Sequence, residues 1–146
     1  VVPNFTPENG KFQIGKAVLL NEGSDVTIIA TGHLVWEALV AAEALEEKGI
    51  SAEVINIHTI KPLDNAAVLA SARKTGCVVT CEEHQRNGGL GDSIAQLLAR
   101  ELPTPMEYVA VNDSFGESGT PEELLAKYGL DTPDVVAAVK RVLKRK

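Results

Sequence analysis

Seven polar side chains able to bind a ligand or move a proton follow short apolar stretches of this sequence. Each lies one to three residues beyond a run of apolar and β-branched residues, a pattern typical of a buried strand. Because the carboxyl ends of parallel strands meet at one edge of a sheet, we expect these side chains to converge there. We call them the rim residues: His33, His58, Glu82, Glu83, His84, Asn112 and Asp113.

Three kinds of site chemistry are compatible with such residues. The three histidines could form a zinc site, although no pair has the local spacing of a metal-binding motif. A cysteine–histidine nucleophile is disfavoured because Cys77 and Cys81 are predicted inside a strand, where thiols are usually inert. The stretch Gly88-Gly89-Leu90-Gly91 precedes a helix and could bind phosphate through backbone N–H groups, but it lacks the G-x-G-x-x-G spacing.

The adjacent carboxylates Glu82 and Glu83 do not suggest a catalytic dyad. In an extended backbone, neighbouring side chains point to opposite faces, so these two would diverge. A catalytic centre within the chain is therefore disfavoured. We favour the interpretation that the rim is a polar, hydrogen-bonded surface facing another domain of the same protein.

The sequence predicts strands that alternate with helices. Predicted strands cover residues 16–20, 26–30, 52–57, 77–81 and 106–111, and predicted helices cover 35–48, 65–75, 90–101, 121–128 and a last helix opening at 132–133. The polar loop 21–25 suggests a hairpin between the first two strands, which would make the first strand an antiparallel edge. The expected fold is a three-layer α/β/α sandwich around a mostly parallel five-stranded sheet with one antiparallel edge strand.

Length and charge limit the possible organisation and partners. The 146 residues suffice for one domain, which we place at residues 16–146 after an extended linker at residues 1–15. The net charge is −6 and residues 140–146 hold the only basic cluster, so nucleic acid is not an expected partner. No apolar run approaches the roughly 18 residues of a membrane span, so no membrane partner is expected either.

The sulfur-containing residues indicate a compartment and a larger context. Cys77 and Cys81 would lie ~13 Å apart on one strand. That separation exceeds the reach of a disulfide, so reduced thiols in a cytoplasmic protein are expected. The chain begins at Val1 and its only methionine is Met106, which suggests a piece of a longer protein.

Six motifs of the sequence match, in order, the pattern of the C-terminal domain of transketolase and its thiamine-diphosphate relatives, which this sequence resembles. The resemblance covers nearly the whole chain from about Phe12 onward. The region after residue 114 is most similar to transketolases, especially those whose gene is split into two subunits. Deoxyxylulose-phosphate synthases and the β subunits of 2-oxoacid dehydrogenases are less similar, and Ala110 departs from the family pattern, where glycine is expected. The matching stretches are Gly32, Ile60-Lys61-Pro62-Leu63-Asp64, Glu82-Glu83-His84, Gly88-Gly89-Leu90-Gly91, Phe115-Gly116-Glu117-Ser118-Gly119 and Leu124-Leu125-Ala126-Lys127-Tyr128-Gly129-Leu130.

The resemblance implies a domain that supports catalysis without performing it. In this family thiamine diphosphate binds between two preceding domains, across a dimer, and the sequence has no Gly-Asp-Gly followed by a distant Asn. No catalytic, cofactor-binding or metal-binding residue is therefore assigned to this chain. The parent enzyme would transfer two-carbon ketol units between sugar phosphates with thiamine diphosphate and Mg²⁺, and the isolated domain would be inactive.

The resemblance also implies partners and leaves one alternative open. The expected partners are upstream thiamine-binding domains or an N-terminal subunit of the same enzyme, in a homodimer or a heterotetramer. In the alternative, the chain is a regulatory or partner-binding module of a deoxyxylulose-phosphate synthase or a 2-oxoacid dehydrogenase β subunit. Its rim would then hold a small anionic effector or a partner protein.

Overall fold

The structure is a computed structural model that describes residues 16–32, 34–57, 63–85, 89–111 and 132–146. Strands and helices alternate along these residues, as the sequence predicts. The predicted linker 1–15 and the predicted helix 121–128 lie outside the described residues. The elements are β1 (Val18–Asn21), β2 (Val26–Ala30), α1 (Leu34–Glu46), β3 (Ala52–Asn56), α2 (Asn65–Thr75), β4 (Val78–Gln85), α3 (Leu90–Glu101), β5 (Met106–Val111) and α4 (Thr132–Lys144).

The five strands form one mixed sheet in the order β1-β3-β2-β4-β5. The pairs β3–β2, β2–β4 and β4–β5 are parallel, whereas β1 runs antiparallel to β3 at one edge. Helices α1 and α4 cover one face of the sheet and α2 and α3 cover the other. The predicted fold class, a three-layer α/β sandwich with one antiparallel edge strand, is confirmed.

The central strands are buried on both faces, as continuous apolar runs in a parallel sheet predict. All five residues of β2 are buried. In β4, Val78 packs with the cluster under α2 and α3, and Val79 packs with the cluster under α1 and α4. Successive side chains of the strand point to opposite faces, so the sheet packs against a separate hydrophobic core on each face. Within the described part of the chain, no helix has the length and apolar character needed to span a membrane.

The predicted hairpin between the first two strands is wrong, because β1 pairs with β3 and not with β2. The connection after β1 crosses the start of β3, where the Asn21 side chain donates to the Ala52 carbonyl at 2.8 Å. The Gly23 amide then donates to the Glu53 carboxylate at 3.2 Å. These contacts between residues 30 or more positions apart place β3 between the two strands that the local pattern predicted to pair.

Gly23 is required where the chain crosses β3. A Cβ at this position would lie 2.2 Å from the carbonyl carbon of Ala52. The β1–β2 connection would have to move away from β3, so we expect Gly23→Ala to lower the free energy of unfolding by roughly 2–3 kcal/mol.

Gly49→Ala is the control for that substitution. A Cβ at Gly49 meets nothing within 4 Å, although its φ is +81°, so only backbone strain of about 1–2 kcal/mol is expected. Denaturant unfolding of both variants measures the difference. A loss at Gly23 no larger than that at Gly49 would contradict the close crossing.

Candidate functional site

The carboxyl ends of β2, β3, β4 and β5 lie along one edge of the sheet, which we call the carboxyl edge. The sequence predicts the rim residues at this edge. His33, His58, Asn112 and Asp113 lie outside the described residues, and the convergence of their side chains stays a prediction. For Glu83 and His84 the structure describes the backbone, which is part of β4. The side chain of Glu82 is described in full.

Glu82 binds the N-terminus of α3. Its side chain is completely buried, and its two carboxylate oxygens accept the amides of Leu90 at 2.7 Å and Gly91 at 2.5 Å. The N-cap residue of α3 is Gly89, which has no side chain that could cap the helix. A carboxylate from a neighbouring strand therefore satisfies the free helical amides, and its charge interacts favourably with the helix dipole.

Gly91 allows this contact because α3 approaches the sheet very closely. A Cβ at Gly91 would lie 2.6 Å from the Tyr108 ring and 3.0 Å from the Thr80 hydroxyl oxygen. The absence of a side chain at Gly91 thus allows the helix amides to come within reach of Glu82. The amides of Leu90 and Gly91 bind an internal carboxylate, so the phosphate-binding interpretation is wrong for these two amides.

The predicted end of the fourth strand is also wrong, because β4 continues to Gln85. The pairing with β5 shifts in register between Cys81 and Gln85. Glu82 therefore lies within the strand and points toward α3, so it is not a surface group of the rim. Its polar type suggested exposure, and no local pattern identified α3 as its partner.

A second buried carboxylate, Glu53, lies near the opposite edge of the sheet. It accepts hydrogen bonds from the Ser71 hydroxyl at 2.6 Å, from the Gly23 amide and from the Lys74 ammonium group. Burial alone would raise the pKa of Glu53, but the hydrogen bonds from Lys74, Ser71 and Gly23 outweigh burial, and its pKa is lowered. Sequence reasoning missed this network, which joins β3, α2 and the β1–β2 connection.

The thiols are structural in character. Cys77 and Cys81 are both free and buried, which confirms that they do not pair with each other. Burial raises the pKa of both thiols, and the neighbouring Glu82 carboxylate adds to the effect at Cys81. Because the thiolate is the nucleophile, neither residue is poised for covalent catalysis. Over the described ranges, no group of three or more His, Cys, Asp or Glu side chains could hold a metal ion.

The chain enters the domain at the carboxyl edge. Since β1 is antiparallel to β3, its first residue Val18 lies opposite Asn56, the last residue of β3. Just before β1, the Ala17 amide donates to the Asp64 carboxylate at 2.9 Å. Ala17 and Val18 therefore lie at the carboxyl edge.

An exposed aromatic side chain lies at the same edge. Trp36 is in the first turn of α1, directly after β2 ends, and is 39% exposed. The Cα–Cβ bonds of a helix tilt toward its N-terminus, so Trp36 leans toward the carboxyl edge. Among the described residues, the other large exposed apolar side chain is Leu19 on the edge strand β1.

Replacing Glu82 with glutamine tests the anchoring of α3. The amide keeps the size of the side chain but presents an NH₂ group to one of the two backbone N–H groups. We expect the free energy of unfolding to fall by roughly 2–3 kcal/mol, because a buried donor loses its acceptor. Denaturant unfolding measures this loss, and hydrogen exchange should accelerate at the amides of Leu90 and Gly91.

Glu101→Gln provides the matched control, since it makes the same chemical change at the exposed far end of α3. Stability should be nearly unchanged in that variant. Equal effects of the two substitutions would mean that the Glu82 carboxylate does not anchor the helix.

Comparison with known proteins identifies the family. Residues 15–135 match the family model described as the transketolase C-terminal domain. The 6-deoxy-6-sulfo-D-fructose transketolase subunit of Clostridium sp. (strain MSTE9) is 52% identical over 139 residues, covering 95% of this chain and 43% of that protein. The 1-deoxy-D-xylulose-5-phosphate synthase 1 of Geobacter sulfurreducens is 43% identical over 135 residues, covering 91% of this chain and 21% of that protein.

A solved structure supports the same assignment. It is described as a split gene transketolase in an inactive beta4 tetramer, and it superposes with a TM-score of 0.94 at 48% identity. The alignment covers 98% of this chain and 47% of that chain. This chain thus spans less than half the length of these relatives. The match in sequence and in fold, over nearly all its residues, shows that the chain belongs to the transketolase C-terminal domain family.

Proposed function

We propose that this chain is the assembly domain of a thiamine-diphosphate-dependent transketolase. It holds thiamine-binding domains, or an N-terminal subunit that contains them, in a homodimer or heterotetramer. The assembled enzyme transfers two-carbon ketol units between sugar phosphates, and thiamine diphosphate with Mg²⁺ supplies the carbanion chemistry of that transfer. The chain itself contributes no reacting group. A cytoplasmic location belongs to the same proposal, because both thiols are free.

The observation that carries this proposal is the position at which the chain enters the fold. Ala17 and the first residue of β1 lie at the carboxyl edge, beside the end of β3. A domain connected through residues 1–15 would therefore be tethered on the side of the sheet where the rim residues are predicted. In open α/β sheets that edge is also where ligands and neighbouring groups dock.

The described polar groups are better suited to support than to catalysis. Both oxygens of the Glu82 carboxylate are used by α3, and the Glu53 carboxylate is used by α2 and the β1–β2 connection. Among the described side chains, no group of three or more His, Cys, Asp or Glu residues is placed to hold a metal ion. The amides of Leu90 and Gly91 donate to Glu82, so they do not bind an external anion at the same time.

The relatives favour a transketolase over the alternative enzyme. The sulfofructose transketolase subunit is 52% identical, against 43% for the deoxyxylulose-phosphate synthase. The split-gene relative is described as inactive when it forms a β4 tetramer. An inactive assembly of one subunit type is consistent with an activity that requires a companion subunit. The synthase relative nevertheless keeps open a second candidate, the equivalent domain of a deoxyxylulose-phosphate synthase.

Cofactor binding by the isolated chain tests the proposal directly. Titration calorimetry with thiamine diphosphate and Mg²⁺ should give no binding at micromolar concentrations, and the chain alone should transfer no ketol unit. Adding the companion thiamine-binding region should restore both properties. Micromolar binding to this chain alone would overturn the assembly-domain proposal.

Substitution of Trp36 tests where assembly takes place. Truncating a central aromatic contact usually costs at least about 1.4–2 kcal/mol of binding, so Trp36→Ala should weaken association with the thiamine-binding region tenfold or more. Because Trp36 is the only tryptophan of this chain, its fluorescence should shift to the blue on assembly when the companion region lacks tryptophan.

Glu46→Ala is the control, because Glu46 is exposed at the last residue of α1, the far end of the helix that carries Trp36. Its removal should change the association constant by less than twofold. If the two substitutions weaken assembly equally, or if neither weakens it, the part of the carboxyl edge around Trp36 is not the assembly surface.

A further inference from the structure

The Asp64 carboxylate binds two segments that are distant in sequence. Its Oδ1 accepts the Ala67 amide at 3.2 Å, as an N-cap of α2. Its Oδ2 accepts the Ala17 amide at 2.9 Å, across a separation of 47 residues. The backbone carbonyl of Asp64 also accepts the Val68 amide, which fixes the residue at the start of the helix.

The second of these bonds lies where the chain enters the domain. Ala17 precedes the first residue pair between β1 and β3, which is Val18 with Asn56. The sheet therefore does not hold the Ala17 amide through that pairing, and the Asp64 carboxylate does. Ala17 and Leu63 both pack against the hydrophobic cluster under α2 and α3, so apolar contacts support the same arrangement.

Helix capping alone does not require aspartate at this position. Serine, asparagine and aspartate stabilise helix N-termini to a similar extent, since each offers one oxygen to the amides of the first turn. Holding Ala17 as well requires a second acceptor oxygen on the same side chain. Aspartate provides two acceptors and no donor, so it meets both requirements at once.

We propose that Asp64 is a positioning residue that fixes the direction in which the polypeptide enters this domain. Asp64 binds Ala17 to α2 while Val18 pairs with β3, so these two consecutive residues are held by the helix and by the sheet, respectively. Without that bond the segment can pivot at Val18. The consequence for an upstream thiamine-binding domain rests on the proposed function, whereas the fixed direction at Ala17 is a property of this chain.

Two substitutions separate the two roles of the carboxylate. Asp64→Ser keeps an oxygen that can cap α2 but removes the acceptor for Ala17, and Asp64→Ala removes both. Asp25→Ser is the matched control, because the Asp25 carboxylate accepts the Ser51 amide at 2.7 Å near the start of β3, at the opposite edge. It therefore removes a comparable bond far from the incoming segment.

Amide hydrogen exchange of this chain, measured by NMR, is the decisive readout. In Asp64→Ser the Ala17 amide should exchange at least tenfold faster, while the Ala67 amide stays within threefold of the parent. In Asp64→Ala both amides should accelerate, and in Asp25→Ser neither should. If Asp64→Ala does not fold, the serine variant alone decides. Unchanged exchange at Ala17 in Asp64→Ser would overturn the proposal.

A second measurement addresses the orientation of the neighbouring domain. Small-angle scattering of the chain joined to its thiamine-binding region should show a broader distribution of shapes for Asp64→Ser than for Asp25→Ser. Identical profiles would overturn the role in domain orientation. The exchange experiment needs no companion. If Asp64→Ser loses Ala17 protection but the parent chain does not assemble with a thiamine-binding region, the proposed function fails and the role of Asp64 stands.

Discussion

A buried carboxylate dictates how one half of this fold is arranged. Glu82 is completely buried, and an ionised group without partners at such a position would cost several kcal/mol. It is tolerated because two backbone amides of α3 point at its oxygens. That requirement fixes where α3 begins and how close it comes to β4 and β5. The close approach in turn excludes any side chain at Gly91, where a Cβ would meet the Tyr108 ring.

The same physical rule operates once more on that face of the sheet. Glu53 is held by Ser71 and Lys74 of α2, as Glu82 is held by α3. Both helices of this face therefore have a polar anchor that specifies their position over the strands. The opposite face, under α1 and α4, is a cluster of apolar residues with many alanines and valines. Apolar packing supplies stability on both faces. On the face of α1 and α4 the polar anchors are more exposed, since Arg141 of α4 and Arg145, just after its end, bind the Glu107 carboxylate of β5 at the surface.

Sequence reasoning succeeded where the determining signals are local. The bounds of α2 and α3 were predicted correctly, because Asp64 and Gly76 cap α2 and an apolar periodicity marks α3. It failed where pairing is decided by distant contacts. The predicted hairpin was wrong because β3 lies between β1 and β2. The fourth strand was predicted too short because a glutamate usually marks the end of a buried strand, and the sequence does not reveal the buried partner that allows β4 to continue through Glu82. The N-cap role of Asp64 was predictable, but its bond to a residue 47 positions away was not.

Glu82 and Asp64 anchor the carboxyl edge near its two ends. Asp64 ties the incoming chain to α2 beside β1 and β3, and Glu82 ties α3 to β4 beside β5. Between them lies the start of α1 with Trp36. Association is weakened when side chains and loops must become ordered on binding, and a surface already fixed by internal hydrogen bonds avoids much of that cost. A domain that holds other domains in place benefits most from such rigidity. Each oxygen of both carboxylates accepts a backbone amide of this chain, so these groups serve its internal architecture, which is consistent with the proposed role in assembly.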